Sequence, residues 1–152
     1  MVVLKKHLTQ KTRLCRYKAS DYLFVRNLSK KNMCVYLDKY FSGWDEAKFK
    51  NNLKPRNIWI VKIKNLKIGF YDLEVKNNQA YLHNLQLVCS YQRKGIGQHL
   101  MSQIEKRKGI KRINLSVFRD SPVVKFYQRL GYKVFKRYPF TYTLMKLISS
   151  NQ

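Results

Sequence analysis

Acidic residues are scarce in this sequence: eight Asp and Glu against 32 Lys and Arg in 152 residues, a formal net charge of +24 with a pI near 10.2. A field of that sign gathers anions around the whole molecule and brings nucleic acid into consideration as a partner. The basic residues divide evenly, 16 in residues 1–66 and 16 in 67–152 with four acids in each part, so no basic arm or tail stands out. The even spread favours a solvated basic surface over a dedicated polyanion site, so nucleic acid is allowed but not favoured. Cysteine is also sparse: Cys15, Cys34 and Cys89 form no Cys-x-x-Cys pair, which argues against a disulfide framework or a zinc site and leaves three reduced thiols. Neither MVVLKKHLTQ at the start nor any later window is an apolar stretch of signal-peptide or membrane-span length, so a cytoplasmic protein with no membrane partner is expected. Only six glycines and three prolines occur. With no Pro/Gly/Ser-rich linker and no repeat, residues 1–152 are expected to form a single domain, and 45% apolar content is enough for a core.

What is present reads as alternating helix and strand periods. Residues 12–17 suggest a first strand. Two helical stretches follow, Ser20–Ser29 and Lys30–Phe41, the second with Met33, Tyr36, Leu37 and Tyr40 at three-to-four spacing, and residues 45–53 continue the helical region after Gly43. The period then shortens: Ile58–Lys64 is β-branched and apolar, Ile68–Val75 alternates imperfectly, and Ala80–Val88 alternates along Tyr81, His83, Leu85 and Leu87, with Asn77-Asn78 as the hairpin turn between the last two. A helix with Ile96, Leu100 and Ile104 on one face should end at Gly109. Ile113, Leu115 and Val117 alternate as a strand. Ser121-Pro122 opens a helix burying Val123, Phe126, Tyr127 and Leu130 before Gly131, and two closing strands carry Val134 and Leu144 around a Tyr138-Pro139 turn. The fold class is therefore mixed α/β.

Chemistry first appears in Gln92-Arg93-Lys94-Gly95-Ile96-Gly97, between a strand and a helix. Successive backbone N–H groups at a helix N-terminus form a concave positive nest for a pyrophosphate. Glycines at 95 and 97 leave room for the phosphate and supply left-handed angles, while Arg93 and Lys94 add charge. The loop is neither a dinucleotide fingerprint, since position 100 is Leu100, nor a P-loop, since no Gly-Lys-Ser/Thr follows.

Leu85-Gln86-Leu87-Val88 followed by Gln92 to Gly97 resembles the Gln/Arg-x-x-Gly-x-Gly/Ala signature of the GNAT superfamily of N-acetyltransferases. Lys125-Phe126-Tyr127-Gln128-Arg129-Leu130-Gly131-Tyr132 is similar to that family's Phe/Leu-Tyr-x-x-x-Gly-Phe/Tyr segment, and the element order over residues 12–146 agrees. The resemblance implies a mixed, mostly antiparallel sheet of six to seven strands flanked by helices, with splayed central strands. It also implies acetyl-CoA as co-substrate, no metal, and transfer of the acetyl group to a primary amine of a small molecule or peptide by direct attack in a ternary complex. Pantetheine would pair with the strand end at Leu87 and Val88, where a backbone N–H could polarise the thioester carbonyl. The pyrophosphate would sit on Gln92, Arg93, Lys94, Gly95, Ile96, Gly97 and Gln98. Tyr127 would protonate the leaving sulfur. For the base, the strand 80–88 has no carboxylate and only one group that titrates near neutrality, His83; a histidine there also serves family members that acetylate arylalkylamines. A water relay through Glu74, Asp72 or Tyr81 is the rival, and His7 and His99 are read as surface residues. Asp120 and Val123 stand where the family often has Asn and Ala, and Asp120 is read as a helix cap or a partner of Arg119. An RNA-linked amine acceptor, as in toxin members of the superfamily, and a non-catalytic CoA-binding module are the alternatives. The sequence leaves the acceptor and the oligomeric state open.

Overall fold

The computed structural model describes residues 2–149, with side chains from Lys6 onward. Its elements run α1 (Val2–Gln10), β1 (Thr12–Arg16), α2 (Tyr22–Tyr40), α3 (Glu46–Asn52), β2 (Ile58–Ile63), β3 (Leu66–Lys76), β4 (Gln79–Leu87), α4 (Ile96–Glu105), β5 (Arg112–Phe118), α5 (Val123–Arg129), β6 (Lys133–Arg137) and β7 (Thr141–Leu147). The sheet has seven strands in the order β1-β2-β3-β4-β5-β7-β6. It is mixed: β4 and β5 pair in parallel from Gln79–Arg112 to Leu82–Leu115, while β1–β2, β2–β3, β5–β7 and β6–β7 are antiparallel. No helix among the described residues is long and apolar enough to cross a membrane. The chain divides into two compact units, Met1–Asp72 with Asn84–Gly97 and Leu73–His83 with Gln98–Gln152, so β3 and β4 contribute to both.

In the first unit Val25 and Leu28 of α2 pack with Ile58, Ile60 and Phe70 of the sheet, with Tyr17, Phe24, Phe49, Leu53 and Val88 around them. Burying each such side chain fully stabilises by about 1.5–3 kcal/mol. That packing explains the first departure from expectation. Residues read as two helices meeting at Ser29 form one, α2, because Leu28 and Ser29 lie on its buried side and tertiary contact outweighs serine's weak helix preference. The helix α1 is the second departure, since the sequence pattern predicts no element over residues 2–10. α3 starts as expected after Gly43, with the Asp45 side chain accepting from the Lys48 N–H at 2.9 Å. Gly69 of β3 has its own reason: a Cβ there would lie 2.4 Å from the Gln86 carbonyl oxygen and 2.6 Å from Leu87 Cδ2, so only glycine lets β3 approach the end of β4.

In the second unit Asn77 and Asn78 make the β3–β4 turn with φ of 52° and 63°, the doubly left-handed turn that asparagine tolerates. The core is one face of the sheet: Ala80 and Leu82, then Ile113, Leu115 and Val117, then Leu144 are buried, with Leu100, Met101 and Ile104 of α4 and Tyr127 of α5 also buried. Glu105 on α4 accepts from the Tyr132 hydroxyl (3.1 Å) and from Lys146 Nζ (2.9 Å) on β7, tying helix to sheet. Val123, expected on the buried face of α5, is 42% exposed, because it is the helix's first residue and lies short of the turn that meets the sheet. The Ser121 hydroxyl accepts from the Val123 N–H at 3.3 Å, satisfying one N–H at the start of α5.

Candidate active site

In the first unit the chain leaves β4 at Leu87, makes a 3-10 turn over Cys89–Tyr91 and enters α4 at Ile96. Arg93 (φ 58°) and Gly95 (φ 82°) are both left-handed. Gln92 before them is extended (φ −75°, ψ 157°), so the backbone turns sharply twice just ahead of the helix start, and left-handed turns of this kind can aim backbone N–H groups at an anion. Gly95 adopts its angle without a Cβ penalty, whereas Arg93 does so at a cost of about 1–2 kcal/mol. The expectation that both glycines supply left-handed angles is therefore corrected. Gly97 lies in the first turn of α4, and what it offers is space for close approach. No acidic residue occupies that first turn, so the positive end of the helix and its unpaired N–H groups are not neutralised locally. Arg93, Lys94 and Gln98 are exposed, Lys94 Nζ standing 5.8 Å from the centre of the Tyr91 ring, and the Ile96 side chain is fully buried, which leaves only its backbone for a ligand.

The end of the strand is more committed than the sequence suggested. The Val88 N–H donates to the Ile68 carbonyl at 2.8 Å, so of the two amides considered for polarising a thioester that of Val88 is already engaged. The Leu87 carbonyl accepts from Gln92 Nε2 (2.9 Å) and from Asn32 Nδ2 (3.2 Å), and Asn32 also donates to Gln86 Oε1 (3.0 Å). Gln92 thus lashes the loop to the strand with its own side chain. Sequence reasoning missed Asn32. Its contacts lie 54 and 55 positions away, and nothing in the local pattern of α2 marks it.

In the second unit His83 is exposed, and its Nε2 lies 2.9 Å from Glu74 Oε2. If Nε2–H donates to Glu74, the lone pair sits on Nδ1, the tautomer a general base needs. The imidazole also packs on Tyr81 with ring centres 4.6 Å apart, and the Tyr81 hydroxyl is 2.6 Å from Ser116 Oγ. Two of the three groups considered for a water relay, Glu74 and Tyr81, therefore touch His83 itself; Asp72 is buried in the first unit. Tyr127 is 7% exposed, edge-on to Phe126 (5.0 Å) and to Tyr132 (5.6 Å), and burial pushes its phenol well above the ordinary tyrosine range. His7 is exposed, as expected. His99 is partly buried, and burial first, then Lys106, holds its pKa down. Among the described residues no group of three His, Cys, Asp or Glu could hold a metal ion.

The profile of the Acetyltransferase (GNAT) domain family matches residues 54–134, a little over half of the chain. A spermidine N(1)-acetyltransferase of Thermoplasma acidophilum is 31% identical, the match covering 66% of this chain and 71% of that protein. Among solved structures, the PaiA N-acetyltransferase of Thermoplasma acidophilum in complex with coenzyme A superposes with a TM-score of 0.70 at 21% identity, covering 90% of this chain and 98% of that one. The ribosomal-protein-S18-alanine N-acetyltransferase of Escherichia coli superposes with a TM-score of 0.63 at 20% identity, covering 93% and 96%.

Proposed function

The chain belongs to the GNAT acetyltransferase family, an acyltransferase family that uses acetyl-CoA, and from that premise we propose that it acetylates a primary amine of a small molecule or peptide by direct attack in a ternary complex. The observation that carries the reading is the loop from Gln92 to Gly97, a left-handed nest running into a helix start free of acids, whose donor set fits a pyrophosphate. Gln92, Arg93, Lys94, Gly95, Ile96, Gly97 and Gln98 would hold it, the first by bracing the loop and Ile96 by its backbone. Leu87 and Val88 would flank the pantetheine, with the Leu87 N–H facing the carbonyl to be polarised.

Two protons must move. An alkyl ammonium of pKa near 10 has to lose one before attack, and the departing thiolate, with a thiol pKa of about 8.5, gains by taking one. We assign the first to His83, held in its basic tautomer by Glu74, and the second to Tyr127. Burial keeps the Tyr127 phenol protonated across the working range. The same burial makes complete transfer uphill until negative charge has built on sulfur, which suits a donor that hydrogen-bonds the leaving group and yields its proton late.

The acceptor class is part of the proposal, because relatives differ here: one is named for spermidine, another for a protein's alanine. We also read residues 1–152 as one acetyltransferase domain. Cytoplasmic placement fits the three free thiols, Cys15, Cys34 and Cys89. The decisive experiment is thiol release from acetyl-CoA across polyamines, amino acids, arylalkylamines, peptides and aminoacyl-tRNA, with coenzyme A affinity measured in parallel. Turnover of free amines is the expected result. Coenzyme A binding with no turnover on any amine would replace it with a binding module.

A further inference from the structure

The second unit carries a groove of about 520 Å³ lined by residues including Tyr81, Arg112, Ser116, Phe135, Lys136 and Tyr138, none of them acidic. Strand alternation explains its chemistry. Ile113, Leu115 and Val117 of β5 point to the core, so Arg112, Asn114 and Ser116 face the other way, and register brings Thr143 of β7 beside Ser116 and Lys136 of β6 beside Thr143. The acids of this unit are Glu74, Glu105 and Asp120. Glu105 is engaged by Tyr132 and Lys146, and Glu74 by His83, and none of the three lines the groove.

We propose that this groove binds single-stranded nucleic acid, with phosphates on Arg112 and Lys136 and bases against Phe135 and Tyr138. Arg112 is braced for such a role. Its Nε donates to Asn114 Oδ1 at 3.1 Å, and its guanidinium lies 4.7 Å from the centre of the Phe135 ring, so less side-chain freedom is lost when it meets a phosphate. Lys136 Nζ stands 5.7 Å from the same ring. Phe135 and Tyr138 are 47% and 48% exposed, so both rings offer open faces beside the two cations. Cations alternating with open rings, beside the hydroxyl and amide groups of Ser116, Asn114, Thr141 and Thr143, are the arrangement that tracks a backbone and stacks unpaired bases. A duplex has its bases stacked internally and cannot offer them to these rings. Tyr81, which lines the groove, packs on His83 and meets Ser116, so the site adjoins the proposed base; binding of an oligonucleotide is read without turnover, so this proposal and the acetyl-transfer reading can fail separately.

The test is fluorescence anisotropy of a labelled oligouridine of about 16 nucleotides with the full chain, from about 50 to 200 mM salt, against its duplex with oligoadenosine. The single strand should bind more tightly than the duplex. Arg112→Gln with Lys136→Gln should flatten the slope of log K against log salt by about 1.4, at roughly 0.7 per phosphate on a single strand. Lys48→Gln with Lys50→Gln on α3, the same loss of charge elsewhere, should flatten it by less than half as much. Phe135→Ser should weaken binding about fivefold or more without changing the slope. Photo-crosslinking of a 4-thiouridine oligomer to the unmutated chain needs no variant to fold, and its crosslinks should fall within residues 112–116 and 133–143. Equal effects of the two charge pairs, duplex binding as tight as single-strand binding, crosslinks spread over the surface, or full competition by millimolar inorganic phosphate would each overturn the proposal and leave only diffuse attraction or a simple anion site.

Discussion

Single side chains carry the proton chemistry, and each makes a prediction that its surroundings sharpen. Tyr127→Phe keeps the ring that packs on Phe126 and Tyr132 and removes only the hydroxyl. kcat should fall by roughly 10- to 10³-fold, with coenzyme A affinity and melting temperature nearly unchanged, as loss of a proton donor requires. An unaltered kcat would return Tyr127 to a purely structural place in the core. His83→Ala should flatten the acidic limb of the pH–rate profile, because that limb would report the protonation of Nδ1 while Glu74 holds Nε2. Should the limb persist at the same pH, the base is a water relayed through Glu74 or Tyr81.

Elements set where those groups stand. The β4–α4 connection is a strand end, a strained loop and a helix start joined by Gln92, and Gly97→Val would push a branched side chain into the space a pyrophosphate is proposed to fill. Calorimetry should show coenzyme A affinity reduced tenfold or more, about 1.4 kcal/mol; a folded variant with native affinity would exclude this loop as the phosphate site. α3 is held to α2 by Glu46, which accepts from Arg26 Nε and Nη2 (3.0 and 2.7 Å), from Trp44 Nε1 (2.8 Å) and from the Tyr22 hydroxyl (3.2 Å). The Arg26 guanidinium first, then the Trp44 N–H, hold its carboxyl down to about 2. A carboxyl with a depressed folded pKa contributes stability that is present above its unfolded value near 4.3 and is lost as pH falls towards 2. Glu46→Gln should therefore lower the melting temperature at pH 7, and the difference from wild type should close between about pH 4.3 and 2. A difference that stays constant over that range would mean that packing, not charge, accounts for the effect.

The charge belongs to the whole molecule. If a free amine is the acceptor, nothing in the proposed proton pathway depends on long-range attraction, and turnover should persist at 150 mM salt, where the Debye length is about 8 Å. Nucleic acid binding should weaken over the same range by counterion release. Should only an RNA-linked amine be acetylated, with rates collapsing as salt rises, the +24 charge would belong to catalysis and the small-amine reading would give way.

The sequence by itself determined what depends on short range. Period-2 and period-3.6 patterns placed β2 to β7 and α3 to α5 within a few residues, Asn77-Asn78 specified its turn, and glycine spacing pointed to the loop after β4. Those signals are local because backbone angle and side-chain alternation are fixed by neighbours a few positions away. Tertiary structure decided whatever two distant segments share. It joined α2 across Ser29, brought Asn32 to the Leu87 carbonyl, gave the Val88 N–H to Ile68, paired Glu74 with His83, and drew Arg112, Phe135 and Lys136 around one groove from a charge that is uniform along the chain. None of these has a sequence period, since each depends on which strands are neighbours in the sheet and on which face the alternation turns outward.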